Sequence, residues 1–367
     1  MAEALKNVYN QSFFEEFIKV LKKVYPNLNQ TQFLTDIYIK DWECKELKQR
    51  MYHISETMYQ HLPNDYFKAV GVIIKITELL NTKEESLSFE YMFLPDYIEK
   101  YGIDDYTTSI MAIEKITQFT SCEFAVRPFI IKYPQQMILQ LLVWSQHPHA
   151  MVRRLASEGS RPRLPWAMAL PKFKKDPSPI IPILENLKND PSEMVRRSVA
   201  NNMNDISKDN PTTVIELVKK WQGKTKETDW LIKHASRTLL KSGNTDILDL
   251  FGFGSIAHIK VTNFQTHTPK IKIGQSLFFS FKLHNSSNSS SKIRLEYGIY
   301  YKKANGTLSR KVFKISEKIY EANTITEIQK KQSFKIITTR KFYKGQHRLS
   351  LIVNGKEFQK IDFMLIN

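Results

Sequence analysis

Two glutamates occur where almost every other charge is positive. Residues 127–176 contain nine Lys or Arg but only Glu158 and Asp176 as acids, and Glu123 stands just ahead of them. A carboxylate in a cationic stretch weakens the hold on a polyanion, so chemistry explains it better than affinity does. The chemistry it suits is hydrolysis of a glycosidic bond. There an anion offsets the positive sugar that develops, or orients and deprotonates water. Both acids also have ordinary readings. Thr120-x-x-Glu123 fits a capping box, in which the glutamate bonds back to the start of a helix. Glu158 follows Arg154 by one helical turn, an ion pair worth only about 0.2–0.5 kcal/mol. Glu158 also ends a short helix just before Gly159, where the helix dipole disfavours an anion.

Trp144 and Trp166 flank Glu158. Tryptophan holds a sugar or a cationic base by stacking and cation–π contact. The alternative is packing between helices, which is less demanded of Trp166 in the Pro-rich loop Arg161–Pro171. His147-Pro148-His149 has the look of a metal-ligand pair. The intervening proline and the lack of a third Cys or acidic ligand argue against a metal. No P-loop, Rossmann glycine pattern or H-E-x-x-H occurs. Asn204-Asp205 reads as a turn or as the N-cap of a following helix. Lys172, Lys174 and Lys175 would extend a phosphate-binding strip.

These residues need a scaffold, and the chain supplies two kinds. From Gln11 to about Leu250 the apolar residues recur at the helix period, punctuated by prolines such as Pro134, Pro148, Pro191 and Pro211. Met151-Val-Arg-Arg154 recurs as Met194-Val-Arg-Arg197, each copy preceded by a proline (Pro148, Pro191). Leu231-Ile-Lys-His234 is a degenerate third copy. A period near 40 with paired helices is the HEAT/armadillo signature, so the paired arginines would line a positive groove. After Gly254 strict alternation takes over, with hairpin signals at Asn305-Gly306 and Asn354-Gly355. About seven strands fit an immunoglobulin-like sandwich without a disulfide. The expected architecture is multidomain: an all-α HEAT-like-repeat solenoid over 1–250, then an all-β immunoglobulin-like sandwich over 255–367.

Charge follows the same division. Residues 1–126 hold 13 basic and 19 acidic residues, 127–254 hold 20 and 12, and 255–367 hold 21 and 6, for a net charge of +17 overall. A strongly positive middle and end point to a polyanionic partner, most simply nucleic acid. With 42% hydrophobic and 25% charged residues the 367-residue chain is not a disordered or low-complexity protein. Two cysteines, Cys44 and Cys122, exclude a disulfide scaffold and fit a reducing compartment, so a cytoplasmic location is expected. Met1–Tyr9 has no apolar core of the kind a secretory leader needs, and no apolar run is long enough to span a membrane.

The run from Cys122 to Ile130, the block from Trp144 to Trp166 and the run from Met194 to Pro211 together resemble a known family. It is the AlkC branch of the HEAT-like-repeat alkylpurine DNA glycosylases, some members of which carry a C-terminal immunoglobulin-like domain. Residues 1–119 contain no motif that can be matched. The resemblance implies excision of cationic alkylated bases (3-methyladenine, with 3-methylcytosine and 1-methyladenine) from duplex DNA, without flipping the base out, leaving an abasic site. It implies catalytic roles for Glu123 and Glu158, with Arg154, Trp166 and Asp205 beside them. It further implies DNA contacts from Arg127, Trp144, Arg153, Arg161, Arg163, Lys172, Lys174, Lys175, Arg197 and Lys233. No cofactor or metal is implied, and the expected protein is a monomer that acts on DNA and not on membranes. No lysine is placed for a Schiff base, so the reaction would be hydrolytic and monofunctional. The competing expectation is a non-catalytic HEAT-repeat module that binds nucleic acid or protein, its glutamates purely structural.

Overall fold

A computed structural model describes residues 5–81, 88–337 and 340–367. The first four residues of the start read above therefore lie outside it. The chain divides into two compact units, Met1–Ala235 and Ser236–Asn367.

The first unit is helical. Its N-terminal part comprises α1 (Gln11–Val24), α2 (Gln30–Ile37), α3 (Leu47–His61), α4 (Tyr66–Leu80), α5 (Phe93–Tyr101) and α6 (Tyr106–Ile116). Four of these start where an Asn or Asp side chain accepts a hydrogen bond from a backbone N–H of the first turn: Asn10, Asn29, Asp65 and Asp105. Then come α7 (Val126–Lys132), α8 (Pro134–Trp144), α9 (Ala150–Gly159), α10 (Pro171–Lys175), α11 (Ile181–Leu187), α12 (Glu193–Ile206), α13 (Pro211–Trp221) and α14 (Lys226–Ala235). Proline opens α8, α10 and α13, where its missing N–H costs nothing.

The repeat is present as packing. Helices α8, α11 and α13 pair with α9, α12 and α14, and α12 lies between α9 and α14. Val152 and Val195, one repeat apart, are both fully buried. The first arginine of each copy does the same job. Arg153 donates to the carbonyls of His147 and Pro148, and Arg196 to those of Asp190 and Pro191. Each guanidinium thus closes the loop that delivers its own helix.

The second unit opens with α15 (Arg237–Ser242) and α16 (Thr245–Leu250), so the boundary falls before these helices and not near residue 250 as the change in pattern suggests. A glycine contact explains it. Gly243 ends α15 in the left-handed region, and a Cβ there would meet Gly355 O at 2.8 Å. The helix end therefore sits directly against the backbone of the Asn354-Gly355 hairpin. Eight strands follow among the described residues: β1 (Ile259–Thr266), β2 (Lys270–Lys272), β3 (Ser276–Asn285), β4 (Ser291–Lys302), β5 (Leu308–Tyr320), β6 (Thr324–Ser333), β7 (Gly345–Val353) and β8 (Lys356–Ile366). They form sheets of order β1-β3-β6 and β2-β8-β7-β4-β5. Alternate residues (Leu277, Phe279, Phe281 and Leu283; Ile293, Leu295, Tyr297 and Ile299; Leu349, Leu351 and Val353) fill the space between them. Asn354 and Gly355 both have positive φ, the two-residue turn that suits strand twist. No helix among the described residues is long and apolar enough to cross a membrane.

Candidate active site

The acids singled out in the sequence lie at the ends of neighbouring elements of the first unit. Glu158 is in the last turn of α9 and Asp205 in the last turn of α12. Asp205 is therefore inside a helix, neither turn nor N-cap. Both carboxylates are buried at helix C-termini, unfavourable on two counts. Arg161 offsets this. Its Nη1 donates to Glu158 Oε1 at 2.6 Å and its Nε to Asp205 Oδ2 at 2.8 Å. Ser198 Oγ donates to Glu158 Oε2 at 2.5 Å, and Lys208 Nζ to Asp205 Oδ1 at 2.9 Å. Burial alone would lower the guanidinium of Arg161, but its two carboxylate partners raise it above the usual value.

Glu123 is held differently. The capping box does not form: Thr120 Oγ1 donates to Ser88 O, and α7 begins only at Val126. Glu123 sits in the turn before that helix, where Arg154 Nη2 and Ser121 Oγ donate to its Oε2 at 2.8 and 2.9 Å. The expected Arg154–Glu158 pair is absent because Arg154 points to Glu123 and Glu158 is taken by Arg161. The Glu123 side chain keeps 17% of its surface, against 8% for Glu158 and 3% for Asp205. Its Oε1 is the carboxylate oxygen that neither Arg154 nor Ser121 engages.

Arg127 connects these groups. Fully buried, it donates to the carbonyls of Gly159, Arg161 and Met168, which pins both ends of the loop carrying Trp166. Burial and neighbouring Arg161 push its guanidinium down to about 10, and the charges of Asp205, Glu123 and Glu158 act against that. Arg154, on the same helix as Glu158, holds Glu123, and Arg161 joins Glu158 to Asp205, so the three carboxylates share a neighbourhood. Trp166, 69% exposed, has φ +65°. A bulky residue in the left-handed region costs about 1–3 kcal/mol and persists only where its surroundings impose it.

Several expected DNA contacts belong to the scaffold instead. Trp144 is fully buried and its Nε1 donates to Glu114 at 2.7 Å. Arg127 and Arg161 are buried as described. Arg153 makes two bonds to Asp190 in addition to its loop-closing ones. Trp144, Arg127 and Arg161 are buried, with Arg127 Nη2 enclosed and without a hydrogen-bond partner, and Arg153 is committed to Asp190 and its own loop, so none of the four is turned toward a phosphate. His149 caps α9 by accepting from Met151 N–H, so the His-Pro-His motif is local structure. Arg163 pairs with Asp209 at the surface. Arg197 is exposed, paired with Glu193 and near the Trp230 ring. Lys172 and Lys175 are exposed, Lys174 half-buried, and Lys233 half-buried on α14. Among the described residues no cluster of three or more His, Cys, Asp or Glu could hold a metal ion.

Sequence reasoning missed Ser121, Ser198, Lys208 and Asp190. Only Asp190 left a trace: Asp190-Pro191 stands one repeat after His147-Pro148. The others are positioned by folding alone.

Paired helices in register, an acidic cluster at their ends and an appended basic sandwich define a helical-repeat protein built around a polar site. The comparisons narrow this. Residues 95–239 match the model described as DNA alkylation repair enzyme, and residues 260–367 match the C-terminal Ig-like domain of the uncharacterised protein YhaZ. Uncharacterized protein YhaZ of Bacillus subtilis is 43% identical over 98% of this chain and 99% of its own. The solved structure of Pseudomonas fluorescens alkylpurine DNA glycosylase AlkC, bound to DNA containing an abasic site analog, is 35% identical with a TM-score of 0.93, covering all of both chains. The chain belongs to the AlkC family of DNA alkylation repair enzymes.

Proposed function

We propose that the protein is a monofunctional DNA glycosylase. It hydrolyses the N-glycosidic bond of cationic alkylated bases (3-methyladenine first, with 3-methylcytosine and 1-methyladenine) in duplex DNA without flipping them out. The observation that carries this reading is the joining of Glu123, Glu158 and Asp205 through Arg154 and Arg161, in a chain alike over its full length to a glycosylase solved on abasic-analogue DNA.

An N3-alkylated purine carries its own positive charge and leaves readily, so no strong general acid is needed. What the reaction needs is negative charge near C1′ and an oriented water. Glu123 is the acid best suited to supply both, since one of its oxygens is fixed by Arg154 and Ser121 and the other is not. Glu158 and Asp205, tied to Arg161, set the field and the shape of the loop that carries Trp166. That exposed ring would lie against the damaged nucleotide. Lys172, Lys174, Lys175, Arg163, Arg197 and Lys233 remain the candidates for phosphate contacts in the first unit. The +15 of residues 255–367 would add sequence-independent grip. A monomer in the cytoplasm, without cofactor or metal, is part of the same proposal.

The test is incubation of the purified protein with duplexes carrying single defined methylated bases, scored as abasic sites. Released base with an intact strand is the expected product. Binding to these duplexes without release would favour the non-catalytic reading instead.

A further inference from the structure

The N-terminal helices show no catalytic motif, yet one side chain from them reaches the site. Lys48, in the first turn of α3, donates from Nζ to the carbonyl of Trp166 at 2.6 Å. The same ammonium lies 4.6 Å from the centre of the Phe124 ring, and Phe124 follows Glu123 directly. Lys48 also shares a small cavity with Asp96, Glu99 and Ser121, the last being the hydroxyl that bonds Glu123. Asp96 is more than nine-tenths buried and its Oδ2 has no hydrogen-bond partner. Two carboxyl groups on α5 thus stand behind the ammonium, a ring lies beside it, and the strained residue of the loop is ahead of it.

A lysine spends considerable side-chain freedom to hold one geometry, and an ordinary surface carbonyl would be satisfied by water. The carbonyl chosen here belongs to the one residue of the Arg161–Pro171 loop with positive φ. Arg127 already fixes Gly159, Arg161 and Met168 on either side of it. Lys48 supplies the restraint at the tip itself. We infer that Lys48 is a positioning residue: it latches the Trp166 backbone to the N-terminal helices and so aims the exposed indole at the damaged nucleotide. The inference rests on the role proposed above for Trp166. It assigns residues 1–119 a part in the reaction beyond scaffold. Lys48 acts through Trp166, so removing one after the other should cost nothing more.

The test compares Lys48→Met, Lys48→Arg, Trp166→Ala and the double variant Lys48→Met/Trp166→Ala in full-length protein. Single-turnover excision and duplex affinity are both measured. Lys48→Met should slow excision by about 10- to 100-fold, as a small misplacement of a reacting geometry does, with affinity for undamaged duplex nearly unchanged. Lys48→Arg keeps a charged donor and should recover most of the rate. The double variant should match Trp166→Ala alone. A second readout does not depend on activity. In protein labelled with 5-fluorotryptophan, the resonance lost in Trp166→Phe identifies Trp166, and Lys48→Met should shift or broaden it while the other tryptophans stay put. Full activity in Lys48→Met, additive losses in the double variant, or an unmoved Trp166 resonance would overturn the latch. Full activity in Trp166→Ala would instead remove the proposed role of the indole, and the latch with it.

Discussion

Arg154 donates to Glu123 and leaves Glu158, one turn away on its own helix, to Arg161. The two glutamates therefore have separate arginines. Replacing Arg154 with Met should release Glu123 without unsettling the buried pair beneath. Excision should fall by about 10- to 100-fold with the melting temperature changed little. Rate and thermal unfolding measured on the same sample check this. A melting temperature that drops with the rate would make Arg154 structural.

Arg161 should behave in the opposite way. Removing it leaves Glu158 without its arginine and Asp205 with Lys208 alone, both in a water-poor setting. Loss of one partner from a buried pair costs about 3–5 kcal/mol. Arg161→Met should therefore unfold at markedly lower denaturant than wild type, which chemical denaturation followed by circular dichroism would reveal. Stability equal to wild type would mean that the carboxylates are far better solvated than their burial implies.

Arg153 of the first repeat copy and Arg197 of the second should separate in binding assays. Arg153 closes a loop and pairs with Asp190, whereas Arg197 is exposed. Arg197→Ala should weaken DNA binding and flatten its dependence on salt by about one unit of log–log slope, as loss of one phosphate contact does. Arg153→Ala should lower stability and leave the salt slope as it was. Fluorescence anisotropy over a range of salt concentrations distinguishes them, and identical slopes for wild type and Arg197→Ala would take Arg197 out of the interface.

A pH dependence arises at the two carboxyl groups on α5 that share a cavity with Lys48. Burial raises Asp96 to about 6, and burial together with the neighbouring charge of Asp96 raises Glu99 to about 7. In the unfolded chain both titrate near the ordinary carboxylate value of about 4. Between those limits the folded state holds more protons, so stability present at low pH is lost as pH rises toward 7 and is constant above it. Glu99→Gln, which cannot ionise, should exceed wild type in melting temperature by a few degrees more at pH 8 than at pH 5. An equal difference at both pH values would exclude this linkage.

Much of this architecture can be read from residue order. The offset between Met151 and Met194 marks neighbouring helices of one stack, because a repeat buries its apolar face only against the next copy. The sandwich is announced by alternation and by Asn354-Gly355. The acids are legible for the same reason: Glu158 has no counterpart one repeat later, where Asn201 stands. The direction of each arginine was not legible. The sequence places Arg154 within reach of Glu158, but only the fold brings Glu123 nearer, through a turn where a capping box is expected. Burial was also hidden. Trp144 and Arg153 lie in a basic, aromatic stretch that suits DNA, and their partners Glu114 and Asp190 come from 30 and 37 positions away. Lys48 could not be found at all, since 118 positions separate it from the carbonyl it holds.

The claim beneath all of these is that Glu123 offsets the positive sugar formed as the base departs. Its most direct measurement is the single-turnover rate of 3-methyladenine release from a defined duplex by wild type and by Glu123→Gln, with DNA affinity determined for both. A loss of about 10²–10³ in rate at unchanged affinity is the predicted result. Release at the wild-type rate by the glutamine variant would contradict it.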